Sequence, residues 1–245
     1  MKHAVYAGTR NLYEGMVWAS KSLYANSSVD QIHFLIEDDK FPYEMPDFCD
    51  FINVKEYAES TFPDNGPNAK SHFTKMAMVR ICYPNLFPDI DKILQLDIDT
   101  VCLDDVDEIW NLPMDGKWFA AAHEVLSGYD PFHSGHYHNV GVCFFNLEQM
   151  RQDKAQAQLV KCINTRKMNC VEQDALNIVG AMNGKAVDMP TRFNENRATG
   201  YTDNPAIQHY VGYMDWETNP HLPRREYLKL YRDKSWSEIM ELHHG

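Results

Sequence analysis

The chain has 245 residues, 44% of them hydrophobic, and a formal net charge of -12. That charge argues against nucleic acid as a partner, because affinity for a polyanion comes from Lys and Arg displacing counterions; a small phosphorylated ligand stays open, since a divalent metal supplies positive charge locally. A chain of this length buries roughly 70–75% of its extended surface, and it carries no repeat, low-complexity tract or Gly/Ser-rich linker, so residues 1–245 read as one domain that needs no staples.

In chain order, His3 to Ala7 predicts a first strand and Gly8 to Asn11 a turn. Apolar Met16, Val17, Ala19, Leu23 and Tyr24 at helical spacing predict a helix from Leu12 to Ala25. Gln31 to Ile36 is a second strand and Phe51 to Val54 a third. Residues 58–70 hold Pro63 and Asn65-Gly66-Pro67 with little apolar content, which predicts a loop. Phe73 to Tyr83 reads as a helix stopped by Pro84, and Lys92 to Leu96 as a buried strand ending in Asp97-Ile98-Asp99. Asp105 and Glu108 open a short helix toward Trp110. Trp118 to Ala122 and Val140 to Phe145 are strands, and Val171 to Val179 is a helix. This alternation predicts an α/β fold, with a mostly parallel central sheet and helices on both faces. Ligands of such sheets bind at the carboxyl ends of the strands, where Asp97 and Asp99 stand.

The start, Met1 to Ala7, lacks the apolar stretch of a signal peptide, and no run of about 18 apolar residues is present to span a membrane. Six cysteines without C-x-x-C spacing, several in apolar runs such as Val142 to Phe145, read as free core thiols of a cytoplasmic protein. Residues 221–245 form a C-terminal tail, in which Arg224 to Arg232 mixes basic and aromatic residues. A basic amphipathic helix of that kind packs on its own domain or contacts an anionic membrane surface.

Two carboxylates two residues apart in an extended chain project to one side, with alpha carbons roughly 6.5 Å apart, and can converge on one divalent cation. Oxygen ligands suit Mg²⁺ and Mn²⁺, which also bridge diphosphate oxygens. A D-x-D strand end also occurs in haloacid dehalogenase-like phosphatases, and Val101 fits their pattern. Those enzymes place the strand near the N-terminus and add a downstream G-D-x-x-x-D motif that is absent here.

The remaining motifs point elsewhere. Asp91-Lys92-Ile93-Leu94-Gln95-Leu96-Asp97-Ile98-Asp99, His138-Asn139-Val140-Gly141-Val142, Glu172-Gln173-Asp174-Ala175-Leu176-Asn177 and His209-Tyr210-Val211-Gly212 follow one another in order, with Arg80 in the helix before them. Together they resemble the family 8 retaining glycosyltransferases across nearly the whole chain. The resemblance implies a GT-A type fold, a UDP-sugar donor and an acceptor that is a glycan, a lipid-linked sugar or a protein. It implies a metal, Mn²⁺ or Mg²⁺, on Asp97, Asp99 and His209; an imidazole beside two carboxylates suits Mn²⁺ somewhat better. Ala7, Thr9, Asn11 and Tyr13 match the positions that contact uridine, Tyr13 by stacking, and Arg80, Ile98 and Gly212 complete the nucleotide site. Arg80, Asn139, Gly141, Glu172 and Gln173 would border the donor sugar.

The catalytic candidates are Gln173, Asp174 and Glu172. An amide is a poor nucleophile, so Gln173 favours a front-face route in which the acceptor attacks from the side that UDP leaves. Asp174 or Glu172 would instead serve a double displacement. One departure stands out: Asp215 occupies the position of the Lys that grips the diphosphate in this family. A carboxylate there is repulsive, which leaves Lys75, Arg80, Arg224 or Arg225 to compensate, or leaves a degenerate protein that binds a nucleotide sugar or glycan without transfer.

Overall fold

The computed structural model describes residues 1–212 and 216–244. Its strands are β1 (His3–Ala7), β2 (Gln31–Ile36), β3 (Cys49–Asn53), β4 (Lys92–Leu96), β5 (Thr100–Cys102), β6 (Phe119–His123), β7 (His138–Asn146), β8 (Ala186–Asp188) and β9 (Ile207–His209). All but β5 and β9 form one seven-stranded sheet in the order β3-β2-β1-β4-β7-β6-β8. Its pairings are parallel except at β7, which runs antiparallel to both β4 and β6.

The helices are α1 (Tyr13–Ala25), α2 (Lys55–Thr61), α3 (Lys75–Met78), α4 (Tyr83–Leu86), α5 (Leu147–Gln152), α6 (Ala155–Thr165), α7 (Val171–Ala175), α8 (Arg225–Asp233) and α9 (Trp236–His244). Strand alternation sends neighbouring side chains to opposite faces, both of them covered, which is why the central strands are mainly apolar. Tyr6, Leu94, Leu96, Val142 and Phe144 join one core with α1, α8 and α9. Val5, Ile93, Cys143, Phe145 and Ala121 join the other with α2 to α7. Helix α1 is buried on nearly every side because α8 and α9 cover it from the outside. Asn26 Nδ2 donates to Tyr231 Oη at 2.9 Å, and Leu228 and Tyr231 are buried. The apolar stripe of the tail is therefore turned onto its own domain. No helix among the described residues is long and apolar enough to cross a membrane.

The structure departs from the sequence reading in local breaks. The helix expected over Phe73 to Tyr83 is α3, a 3₁₀ turn over Val79–Cys82 and then α4. Pro84 opens α4 instead of ending a helix, since the first turn has no need of its missing N–H. The loop placed at residues 58–70 begins only after α2, and β3 starts two residues earlier than expected. Helices α5 and α6 and the short strands β5, β8 and β9 have no counterpart in the sequence reading; strands of three residues are too short for periodicity to declare.

Strand order reverses between β1 and β4: the chain moves outward through β2 and β3, then returns to the other side of β1. The crevice beyond the carboxyl ends of those two strands is the binding position of open α/β sheets. Ala7 ends β1 there, and Asp97 follows β4 there.

Candidate active site

The two-stranded ribbon of β5 and β9 joins residues far apart in the chain. Thr100 pairs with His209 across it, and Tyr210 N donates to Asp99 O at 2.8 Å. His209 Nε2 consequently lies 3.3 Å from Asp99 Oδ1 and 3.8 Å from Asp97 Oδ2. These three ligand atoms all fall within 4.8 Å of one another, a geometry that can hold a metal ion.

The outer atoms of each candidate ligand are engaged elsewhere. Asn194 Oδ1 lies 2.9 Å from His209 Nδ1 and can only accept, so Nδ1 carries a proton and Nε2 is aimed at the carboxylates. Asn194 Nδ2 in turn donates to Asn139 Oδ1 at 2.9 Å. Asp97 Oδ1 accepts from Arg80 Nη2 at 2.6 Å and Gln95 Nε2 at 3.1 Å, leaving Oδ2 toward the site. Arg80 is itself held by Val140 O at 2.8 Å.

Burial alone would raise the Asp99 carboxyl and lower the His209 imidazole. Each is displaced the other way: the His209 charge holds Asp99 below the ordinary carboxylate value, and Asp99 with Asp97 holds His209 above the ordinary imidazole value. The site is thus arranged around a positive charge. Gly141 is part of that cradle. A side chain there would overlap His209 Cε1 and approach Asp97 Oδ2 to 3.0 Å. The register of β7 with β6 shifts between Ala121 and Ala122, while Gly141 O still accepts from Asp97 N at 2.6 Å.

On α7 the three catalytic candidates differ in what remains free. Gln173 Oε1 accepts from Val140 N at 3.1 Å, and its Nε2 donates to Glu124 Oε1 at 3.2 Å and Tyr137 Oη at 3.1 Å. The amide is therefore fixed in orientation. Asp174 is buried and accepts from the Tyr129 and Tyr137 hydroxyls and from Asn169 N and Cys170 N. A carboxylate committed to so many donors holds the helix start and has little freedom to act as a nucleophile. Burial raises Tyr137, and Asp174 raises it further, so its hydroxyl stays a donor. Glu172 is 4% exposed, with Oε1 3.8 Å from Arg80 Nε and no partner on Oε2 among the described residues. Burial raises its carboxyl despite Arg80.

The N-terminal candidates divide in the same way. Ala7 and Thr9 are half-buried and Asn11 is exposed, with Thr9 Oγ1 bonded to Asn11 Oδ1 at 2.7 Å. Tyr13 is 1% exposed; its hydroxyl donates to Asp38 Oδ2 at 3.1 Å and accepts from Glu37 N at 2.9 Å. In this placement the ring packs 5.1 Å from that of Phe41, and the residue borders a surface pocket with Arg10 and Asp38. Ile98 is half-buried against the core. Gly212 adopts φ +73, and a side chain there would also overlap Arg197 Nη2.

Residue 215 lies outside the described residues, as do 213 and 214, so the geometry of the expected Lys position is not described. The cations named as substitutes are already engaged. Lys75 pairs with Asp64 at 2.6 Å, Arg80 with Asp97, Arg224 with Glu195, and Arg225 donates to Asn219 O. Around the crevice stand Asp97, Asp99, Glu124, Glu172 and Asp174 against Arg80 and His209. This acidic balance is one that a divalent cation would offset.

Gln95, Glu124, Tyr137 and Asn194 support the site and escaped the sequence reading. Gln95 did leave a signal, as a polar residue in an apolar strand two positions before Asp97 and hence on its side. Asn194 left none, since Asn194-Glu195-Asn196 reads as solvated loop yet is almost wholly buried.

Comparison with known proteins agrees with this architecture. General stress protein A of Bacillus subtilis (strain 168) is 27% identical over 202 residues, 69% of each chain. Glycosyltransferase GlyD of Streptococcus pneumoniae is 24% identical over the whole of this chain, which spans 32% of that protein. The galactosyltransferase LgtC, also crystallised with donor and acceptor sugar analogues, superposes with TM-scores of 0.77 and 0.72 in two structures at 20% identity, covering 98% of this chain and 99% of its own. The fold is thus of the GT-A type, and the phosphatase reading falls away. The family model for glycosyl transferase family 8 matches residues 3–217, and this chain belongs to that family.

Proposed function

We propose that this protein is a retaining hexosyltransferase that moves glucose or galactose from a UDP-sugar to a hydroxyl of a glycan, lipid-linked sugar or protein. The observation that carries the proposal is the convergence of Asp97 Oδ2, Asp99 Oδ1 and His209 Nε2, with the outer atoms of Asp97 and His209 anchored. That donor set suits Mn²⁺ ahead of Mg²⁺. When bound, the ion supplies Lewis-acid stabilisation of negative charge on a leaving diphosphate.

The protein's own groups do the rest. Glu172 Oε2, buried and without a partner among the described residues, supplies an acceptor for a donor-sugar hydroxyl. Asn139 donates to Glu124 Oε1 at 2.8 Å, so Glu124, Asn139 and Gln173 form one rigid polar wall. Gln173 is an amide and Asp174 is saturated, which favours the front-face route: the acceptor hydroxyl attacks from the side UDP leaves, and a leaving phosphate oxygen takes its proton. The free cysteines suit a reducing, cytoplasmic setting.

Screening UDP-sugars for Mn²⁺-dependent UDP release tests the reading without an acceptor. Release with one donor and its loss on chelation are expected. Donor binding without transfer or hydrolysis for any UDP-sugar would instead identify a degenerate binder.

A further inference from the structure

A second set of ligand-type side chains lies one residue away from Asn139. His123 ends β6, His138 begins β7 and Asp188 ends β8. The sheet register sets them together, with His123 opposite His138 and Asp188 opposite Ala121. Both imidazole Nε2 atoms are 2.9 Å from Asp188 Oδ1, and the three ligand atoms lie within 4.8 Å of one another. None is shared with the Asp97, Asp99 and His209 cluster.

We propose that His123, His138 and Asp188 form a second metal site, of the zinc class, that clips the ends of β6, β7 and β8 together, with the fourth position open to solvent. Two imidazoles with a carboxylate are a borderline donor set that favours Zn²⁺ over the oxygen-seeking ions expected at the other centre. Ligands held 2.0–2.2 Å from a tetrahedral Zn²⁺ stand about 3.3 Å apart, so a small outward shift of the present contacts admits the ion. His123 Nε2 is buried and has no hydrogen-bond partner among the described residues, although Asp188 Oδ1 lies 2.9 Å away. A cation placed on that nitrogen's lone pair, with Asp188 turned toward it, would satisfy the orphaned atom. The Asp188 side chain is 68% exposed, which gives an ion a way in.

The clip would act at the base of the segment between His123 and His138. Glu124 and Tyr137, both hydrogen-bonded to Gln173, stand at the two ends of that segment, and Glu124 N already bonds Tyr137 O across it at 2.8 Å. An ion here ties the polar wall of the donor pocket to the sheet edge.

The test uses Zn²⁺ titration of the chelator-stripped full chain by calorimetry, in an Asp97→Asn/Asp99→Asn background that disables the first centre. One equivalent of Zn²⁺ is expected, and Co²⁺ in its place should give the visible absorption of a tetrahedral site. Adding Asp188→Asn, at a largely exposed side chain that should not disturb folding, is expected to weaken binding by at least about a hundredfold and abolish the Co²⁺ band; disturbing even an outer partner of a metal ligand costs 10–100-fold. His123→Ala provides an independent check. Absence of Zn²⁺ binding in the background variant, or binding within twofold in both added variants, would overturn the site.

Discussion

The two histidine–aspartate clusters have similar ligands in opposite settings. At Asp97, Asp99 and His209, the non-ligating atoms of Asp97 and His209 are held by Arg80, Gln95 and Asn194, and His209 is 2% exposed. At His123, His138 and Asp188, the carboxylate is largely in solvent and His138 Nδ1 has no partner among the described residues. Held ligands keep one geometry through a reaction, which chemistry needs. Loosely held ligands at strand ends can adjust to an ion, which suffices for a structural clip. The difference lies in the surrounding shell.

Substitutions in both clusters test that contrast. The largest effect is expected from Asp99→Asn, which removes a ligand of the inner cluster: Mn²⁺-dependent UDP release should fall at least about a thousandfold, on the order of 4 kcal/mol of transition-state stabilisation. Unchanged turnover would end the metal assignment. Gly141→Ala comes next. The added methyl group collides with His209 and should lower Mn²⁺ affinity more than about tenfold beyond what loss of an outer partner causes, read by titration with circular dichroism as a check on folding. Asn194→Ala keeps every ligand but frees the ring, and a 10–100-fold loss of Mn²⁺ affinity is expected. An affinity unchanged by Asn194→Ala would erase the distinction between held and loose ligands. The smallest effect belongs to the outer cluster: at Zn²⁺ a hundredfold above its dissociation constant, binding should contribute about 2.7 kcal/mol of stability. That is roughly a 5–10 °C rise in melting temperature, and Asp188→Asn should abolish it.

Much of the framework was legible in order along the chain. Strands β1, β2 and β4 and helix α1 agree with the sequence pattern almost to the residue, because they are apolar or cleanly periodic, while β7 extends two residues before and one after the expected Val140 to Phe145. The carboxyl-end position of Asp97 and Asp99 followed from that pattern. What failed was local. Pro84 looked like a stop and opens a helix. Tyr13, expected to stack on a base, packs into the core with its hydroxyl held by Asp38 and Glu37. Asp174 looked reactive and is saturated by Tyr129, Tyr137 and two backbone N–H groups. For Tyr13 and Asp174 the outcome depends on partners distant in sequence, which no local window contains; Pro84 is tolerated because the first turn of a helix does not need its N–H.

By itself the sequence determined the α/β alternation, the carboxylate pair at a strand end and, through its ordered motifs, membership in a glycosyltransferase family. These are properties of spacing, and spacing survives in one dimension. Only the tertiary structure decided how the site closes: which oxygen of Asp97 is free, which nitrogen of His209 faces it, and why Gly141 has no side chain. It also decided that His123, His138 and Asp188, scattered over three strands, meet at one sheet edge. The physical reason is that these facts arise from pairing of β5 with β9 and of β6 with β7 and β8, long-range contacts whose register is set by packing on both faces of the sheet.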